Sequence, residues 1–300
     1  MTGHRTLRKV FAFFARDLAI ARSYRMAFVL EILEAFFGVA TFYYLSRFVS
    51  SDQLNRALPT GSDYFAFALV GIAFFDYLTV SLSAFDTSIM EARQNGTLEA
   101  MLVTETPLTM MLLASVAYPF VLLALRTVIY LAWGAMLFHF PIREANWLGA
   151  MIILVVSILA FSGLGIISTS YLLLFKRGNP ARWFIVGASS LLGGIMYPVS
   201  VLPVPLQWLA RLIPVTYSLE GMRQALLAGA GFAQLWPSVR ALLLFAVVLL
   251  PLSSVIFAWA LRQTKITGTL THLSRALTCQ KPPARQGLSR SLPRVGESQG

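Results

Sequence analysis

The sequence predicts an all-α membrane protein. It has six transmembrane helices, an N-terminal interfacial amphipathic helix, a short helix in the cytoplasmic turn after the second span, and an external re-entrant helical hairpin before the last span. Three observations carry this fold class. First, 57% of the 300 residues are hydrophobic and 12% are charged, with a mean hydropathy of +0.70. An ordinary soluble domain is about 45–50% apolar and about 25% charged. This chain cannot clothe a soluble surface, which excludes a soluble enzyme and a disordered protein. Second, the apolar residues gather into runs of the roughly 20 residues that a helix needs to cross a bilayer core. Third, the formal charge of +11 sits at the two ends of the chain. Residues 1–25 carry +5 and residues 262–300 carry +6, while 26–261 hold 11 bases and 11 acids. A neutral apolar body with basic ends is not the footprint of a nucleic-acid binder.

The elements follow in order. In residues 1–25, Leu7, Phe11, Phe14, Leu18 and Ala21 recur at helical spacing, with Arg5, Arg8, Lys9 and Arg16 on the opposite face. That is the pattern of a helix lying in the interface with its basic face on anionic headgroups; a plain positive region before the first span is the blander reading. The spans are expected at Met26–Ser46, Tyr64–Met90, Leu108–Phe138, Trp147–Phe175, Arg182–Val201 and Pro237–Leu261. Between the last two, Leu202–Leu235 is broken by Pro203, Pro205 and Pro214. It reads as two short helices that dip into or lie on the membrane. Tyr43, Tyr44, Trp147, Trp208 and Trp236 fall near the expected interfaces and suit an aromatic belt. The membrane body is therefore 1–261, and 262–300, rich in Pro, Ser, Gly and Arg, is expected to be a disordered basic tail. Its lone Cys279 supports neither a disulfide framework nor a Cys-based metal site.

With the N-terminus in the cytoplasm, 17 of the 24 Lys and Arg fall on that side, 6 fall outside, and Arg126 lies within a span. Positive residues favour the cytoplasm, so both ends are assigned there.

The chemistry of an enzyme is missing from the motifs. The sequence has no G-x-x-x-x-G-K-[ST] for a nucleotide, no H-E-x-x-H, and no G-x-S-x-G; His4, His139 and His272 are far apart. No catalytic, metal or cofactor-binding residue is assigned. The turn after the second span is more telling. Asn95-Gly96 is a helix stop, Thr97 can cap a new short helix, and Leu98, Met101 and Leu102 share one face of it. Thr106-Pro107 opens the third span. This gives an apolar knob among the acids Glu91, Glu99 and Glu105, with Arg93 the single base. A docking element and an ordinary ordered loop both fit those mechanics.

The run Glu91-x-Arg93-x-x-Gly96-Thr97-Leu98-Glu99, followed by Leu102-x-Thr104-x-x-Pro107, resembles the cytoplasmic signature of ABC transporter permeases of the type-2 exporter class, which includes drug-efflux and lipo-oligosaccharide or polysaccharide exporters. A second stretch is similar to that family's external hairpin. It runs from Tyr197-Pro198-x-Ser200-x-Leu202-Pro203 through Ile213-Pro214-x-Thr216-Tyr217-Ser218-x-Glu220-Gly221-x-Arg223. The likeness covers about residues 5–261. It implies a multi-pass protein of the prokaryotic inner membrane that pairs with a second permease chain, the same or related. Two copies of a separate cytoplasmic ATPase would carry ATP and Mg, and this chain would bind neither. The turn would be the coupling helix, with Glu91, Arg93, Gly96, Thr97, Leu98, Glu99, Met101 and Leu102 facing the ATPase. Pro198, Pro203, Pro214, Glu220 and Arg223 would shape the hairpin. A lipid-modifying membrane enzyme and an ion-coupled secondary transporter are the competing readings. The first lacks a clustered reactive site and the second lacks paired broken spans in an inverted repeat.

Charges inside spans are functional candidates because each costs at least about 2.5–3.5 kcal/mol at the bilayer centre. Asp76 and Arg126 each lie about 18 Å from the outer end of antiparallel neighbouring spans. They are expected to pair, with a polar pathway as the alternative. Glu31 and Glu34 share a face of the first span. They can pair with Arg22 or Arg25, or line the inner mouth. Asp86 is expected to be wetted near the cytoplasm. Ser162-Gly163-Leu164-Gly165 should permit close packing of the fourth span, and Gly187, Ser189, Ser190, Gly193 and Gly194 should do so for the fifth, within one chain or between two.

Overall fold

A computed structural model describes residues 25–49, 63–94, 108–138, 145–175 and 179–266. Among these residues the protein is wholly helical. The order is α1 (Arg25–Val49), α2 (Tyr64–Gln94), α3 (Leu108–Phe138), α4 (Trp147–Phe175), α5 (Pro180–Leu192), a single 3-10 turn at Val199–Val201, α6 (Val204–Ala210), α7 (Pro214–Leu227) and α8 (Phe232–Ile266). Among the described residues, four helices contain stretches long and apolar enough to cross a membrane: Tyr64–Glu91, Tyr118–Leu137, Trp147–Phe175 and Phe232–Thr264. In α1 the apolar run is interrupted by Glu31 and Glu34.

Helix α4 is the centre of the bundle and packs against α2, α7 and α8. Its glycines explain how. A Cβ on Gly163 would stand 2.7 Å from Leu249 Cβ on α8, and one on Gly165 would stand 2.5 Å from the Phe85 ring and 2.8 Å from the Ser81 carbonyl on α2. The small-residue run thus forms a two-sided close crossing, as expected from sequence. Helix α1 lies outside, on α3 and α2. Phe36 meets Trp133 edge-on at 5.3 Å and Tyr43 meets Phe65 at 5.5 Å.

Three expectations change. The run Arg182–Val201 is not one span: α5 has 13 residues, about 20 Å of helix against a hydrocarbon core of about 30 Å. Hydropathy alone overlooked the stop at Gly193-Gly194, where Gly194 takes φ +76°, a left-handed conformation open to glycine. The chain then turns through Pro198 into the 3-10 turn, and the Tyr197 hydroxyl donates back to the Leu191 carbonyl. The last long helix starts at Phe232 rather than Pro237, contains both Pro237 and Pro251, and continues past Leu261 to Ile266. Finally, the hairpin does form two short helices, α6 and α7, but α7 does not lie on a surface. Eleven of its residues are buried, against α2, α4 and α8. The interfacial helix expected in residues 1–25 and the tail beyond 266 lie outside the described residues, apart from Arg25.

Candidate functional site

The bundle has two distinct ends. At one end lie the start of α2, the start of α4, the turn after α5, and the hairpin. Pro198 precedes the 3-10 turn, Pro203 precedes α6, and Pro214 is the first residue of α7. Pro214 supplies the fixed φ that suits a first helical position, while Pro198 and Pro203 hold the chain extended just ahead of their helices. Arg223 on α7 is the organising group. It is 6% exposed. Its Nη1 donates to the Gly194 carbonyl (2.7 Å), its Nη2 to the Ile195 carbonyl (2.6 Å) and its Nε to the Phe67 carbonyl on α2 (3.2 Å). The guanidinium also sits 3.4 Å from the Phe67 ring centroid. Arginine keeps its charge in proteins, so this guanidinium is a buried cation satisfied by carbonyl acceptors. Gly71 makes room for this arrangement: a Cβ there would lie 2.5 Å from Arg223 Nη2 and would also strike the Ile195 carbonyl.

The same end is tied to α4. Asn146 Oδ1 accepts from Gly149 N (2.9 Å), capping α4, while its Nδ2 donates to the Ala230 carbonyl (2.8 Å) and its backbone N to the Ala225 carbonyl (2.8 Å). Ser157 on α4 and Ser218 on α7 share a buried hydrogen bond of 2.7 Å. Sequence reasoning missed Asn146 and Ser157. The available signal for Asn146 was an Asn just ahead of a long apolar run, a helix N-cap pattern.

At the other end, Asp86 is buried, not wetted: it is 8% exposed. Its Oδ1 accepts from Thr169 Oγ1 on α4 (2.8 Å) and its Oδ2 from Asn179 Nδ2 (2.9 Å). Asn179 Nδ2 is also 2.7 Å from Ser168 Oγ, and Asn179 Oδ1 accepts from Arg182 N (3.0 Å) to cap α5. Three helix ends are fastened through one carboxylate. Its place close to the end of its span is what suggests a wetted residue from sequence alone. A carboxylate excluded from water needs donors, and the packed helices supply them. Further along α2 are Glu91, which is exposed, and Arg93 in the last turn. Gly96, Thr97, Leu98, Glu99, Met101 and Leu102 lie outside the described residues.

Between the ends, Arg126 on α3 pairs with Glu34 on α1 at 2.9 Å, not with Asp76. Its Nε donates to the Tyr130 hydroxyl at 2.9 Å. Asp76 on α2 acts on Arg126 only through space. The expected Asp76–Arg126 pair and the expected Glu34 pairing with Arg22 or Arg25 both give way because α1 also packs on α3, which brings the Glu34 carboxylate to Arg126. Glu31 lies on α1, and its side chain is outside the described set. Glu34→Gln and Arg126→Gln are expected to be non-additive by on the order of 1 kcal/mol in a thermal-stability cycle in lipid nanodiscs. Additive losses for that pair, with coupling between Asp76→Asn and Arg126→Gln instead, would restore the Asp76 pairing.

Helices this long and apolar, packed through glycine crossings and joined to a buried proline-rich hairpin, define a multi-pass α-helical membrane protein. Residues 10–227 match the family described as ABC-2 type transporter, and the chain belongs to that family. The match includes both residues 95–107, which follow α2 in the chain, and the hairpin through the end of α7. The chain is also 25% identical over 167 residues to the inner membrane transport permease YadH of Escherichia coli (strain K12), covering 56% of this chain and 64% of that protein. The same figures hold for the proteins of that name in Escherichia coli O157:H7 and Shigella flexneri. The chain thus spans about 64% of the length of these curated relatives.

Proposed function

We propose that this chain is the membrane-spanning permease subunit of an ATP-driven exporter in a prokaryotic inner membrane. It would move a hydrophobic, amphipathic or lipid-linked substrate out of the cytoplasm or inner leaflet. The observation that carries the reading is membership of the ABC-2 type transporter family across both motif-bearing segments. The ATPase of this reading is a separate subunit, as the family's pairing with an ABC ATPase supports. In this reading α1, α2, α3, α4 and α8 cross the membrane. The short α5, with the turn that follows it, makes the sixth passage. The charge asymmetry puts both termini and the 95–107 turn in the cytoplasm and the hairpin outside. Two ATPase subunits dock on the turns of two permease chains, and ATP biases an inward-open to outward-open equilibrium.

The test is purification in mild detergent from the native host. The wild-type chain is expected to bring down a stoichiometric P-loop ATPase, and Leu98→Asp/Met101→Asp is expected to lose it while still folding. A wild-type chain recovered without an ATPase, under conditions that preserve a known transporter complex, would overturn the proposal.

A further inference from the structure

Three charged side chains meet at the depth of the bilayer core, and their charges do not cancel. Asp76 lies twelve residues into α2, Arg126 twelve residues before the end of α3, and Glu34 nine residues into α1. That is about 14–18 Å along each helix, near the middle of a hydrocarbon core of about 30 Å. Arg126 is already engaged: it pairs with Glu34 at 2.9 Å and donates to the Tyr130 hydroxyl. Asp76 is half-buried and acts on both Arg126 and Glu34 through space. Among the described residues its carboxylate has neither a hydrogen bond nor an ion pair. Two carboxylates against one guanidinium leave one negative charge at this depth.

The cluster is also open. The Glu34 side chain is 66% exposed and that of Arg126 is 29% exposed. Charges at this depth are too costly to face lipid, and they line the pathways of substrates and ions. The surroundings are apolar. Leu30 and Phe37 lie one turn to either side of Glu34 on the same face of α1, and both are exposed. Among the described residues no three acidic, His or Cys side chains converge as a metal site requires.

We propose that this cluster binds a lipophilic organic monocation, with Asp76 as its counter-ion and the exposed α1 face beside Glu34 taking its apolar body. One positive charge brings the cluster to neutrality, and a carboxylate in low-dielectric surroundings attracts it strongly. The apolar flank disfavours a small hydrated ion, which would have to shed its water there. The inference rests on the exporter reading above and names its substrate class: amphipathic cations of the quaternary ammonium or phosphonium kind.

The experiment is equilibrium binding of tetraphenylphosphonium and tetraphenylborate to the full chain in nanodiscs of zwitterionic lipid, with empty nanodiscs subtracted. The two ions share size and shape and differ in the sign of their charge. Saturable phosphonium binding is expected, tighter than borate binding by about tenfold or more. Asp76→Asn keeps the shape and removes the charge. It is expected to weaken phosphonium binding by about tenfold without lowering the melting temperature, since no hydrogen bond is lost. Asp76→Glu is expected to keep most of the binding. Equal binding of the two ions by the wild type overturns the proposal whether or not the variants fold, as does phosphonium binding no greater than that of empty nanodiscs. Undiminished phosphonium binding by folded Asp76→Asn overturns it too. The measurement needs no ATPase. Failure here with ATPase copurification intact removes the substrate class and leaves the exporter reading. Loss of copurification with phosphonium binding intact removes the exporter reading and leaves the cation site.

Discussion

Arg223→Leu is expected to lower the stability of the protein by about 2–5 kcal/mol, the scale of leaving buried carbonyls unpaired. The Gly194 and Ile195 carbonyls sit in a turn with no helix to satisfy them, and the guanidinium is their donor. Arg223→Lys keeps the charge, but a single ammonium cannot span two turn carbonyls and the Phe67 carbonyl in fixed geometry. It is expected to recover less than half of the loss. Gly71→Ala is expected to resemble Arg223→Leu, because the added methyl enters the same space from α2. Thermal unfolding in nanodiscs, followed by size-exclusion fluorescence, reads all three. A midpoint for Arg223→Leu within a degree of wild type would remove Arg223 from its organising role.

Asp86→Ala is expected to cost about 3 kcal/mol, since it strips the charged acceptor from Thr169 and Asn179, and hydrogen bonds to charged groups are worth roughly 1.5–3 kcal/mol each. Asp86→Asn keeps one oxygen acceptor and should fall between. The change is also expected to be functional. The carboxylate fastens the end of α2 that leads directly into the 95–107 turn to the ends of α4 and α5. If that turn receives the ATPase stroke, Asp86→Ala will still copurify with the ATPase yet lose most transport-linked stimulation of ATP hydrolysis. Unchanged stability together with unchanged coupling would count against both parts.

Much of the architecture was legible because membrane crossing imposes a length and a composition. Trp147–Phe175 and Leu108–Phe138 are seen at the residues expected, since nothing in those runs competes with a continuous helix except Pro119, which α3 contains. The fifth helix was misread because hydropathy sums over Gly193-Gly194, while backbone geometry stops there. At the site, the prolines of the hairpin were readable one by one from their fixed φ. Arg223 was readable only as part of a motif, because its three carbonyl partners come from two distant segments. The Arg126 partner needed the packing of α1 on α3, which spacing along single helices cannot supply. Asp86 was misjudged for a related reason: its surroundings come from α4 and the start of α5, more than 80 residues away in sequence.

The anchoring of Arg223 and Asn146 also constrains motion. The Gly194–Ile195 turn, the start of α2 and α7 share one guanidinium, and the start of α4 is pinned to the far end of α7 and the turn after it. The hairpin therefore has few degrees of freedom of its own. It cannot swing like a flap on its two glycine-containing turns while the long helices stand still. Any widening at that end must tilt α2, α4 and α7 together as a rocker, with the glycine crossings at Gly163 and Gly165 as the natural fulcrum.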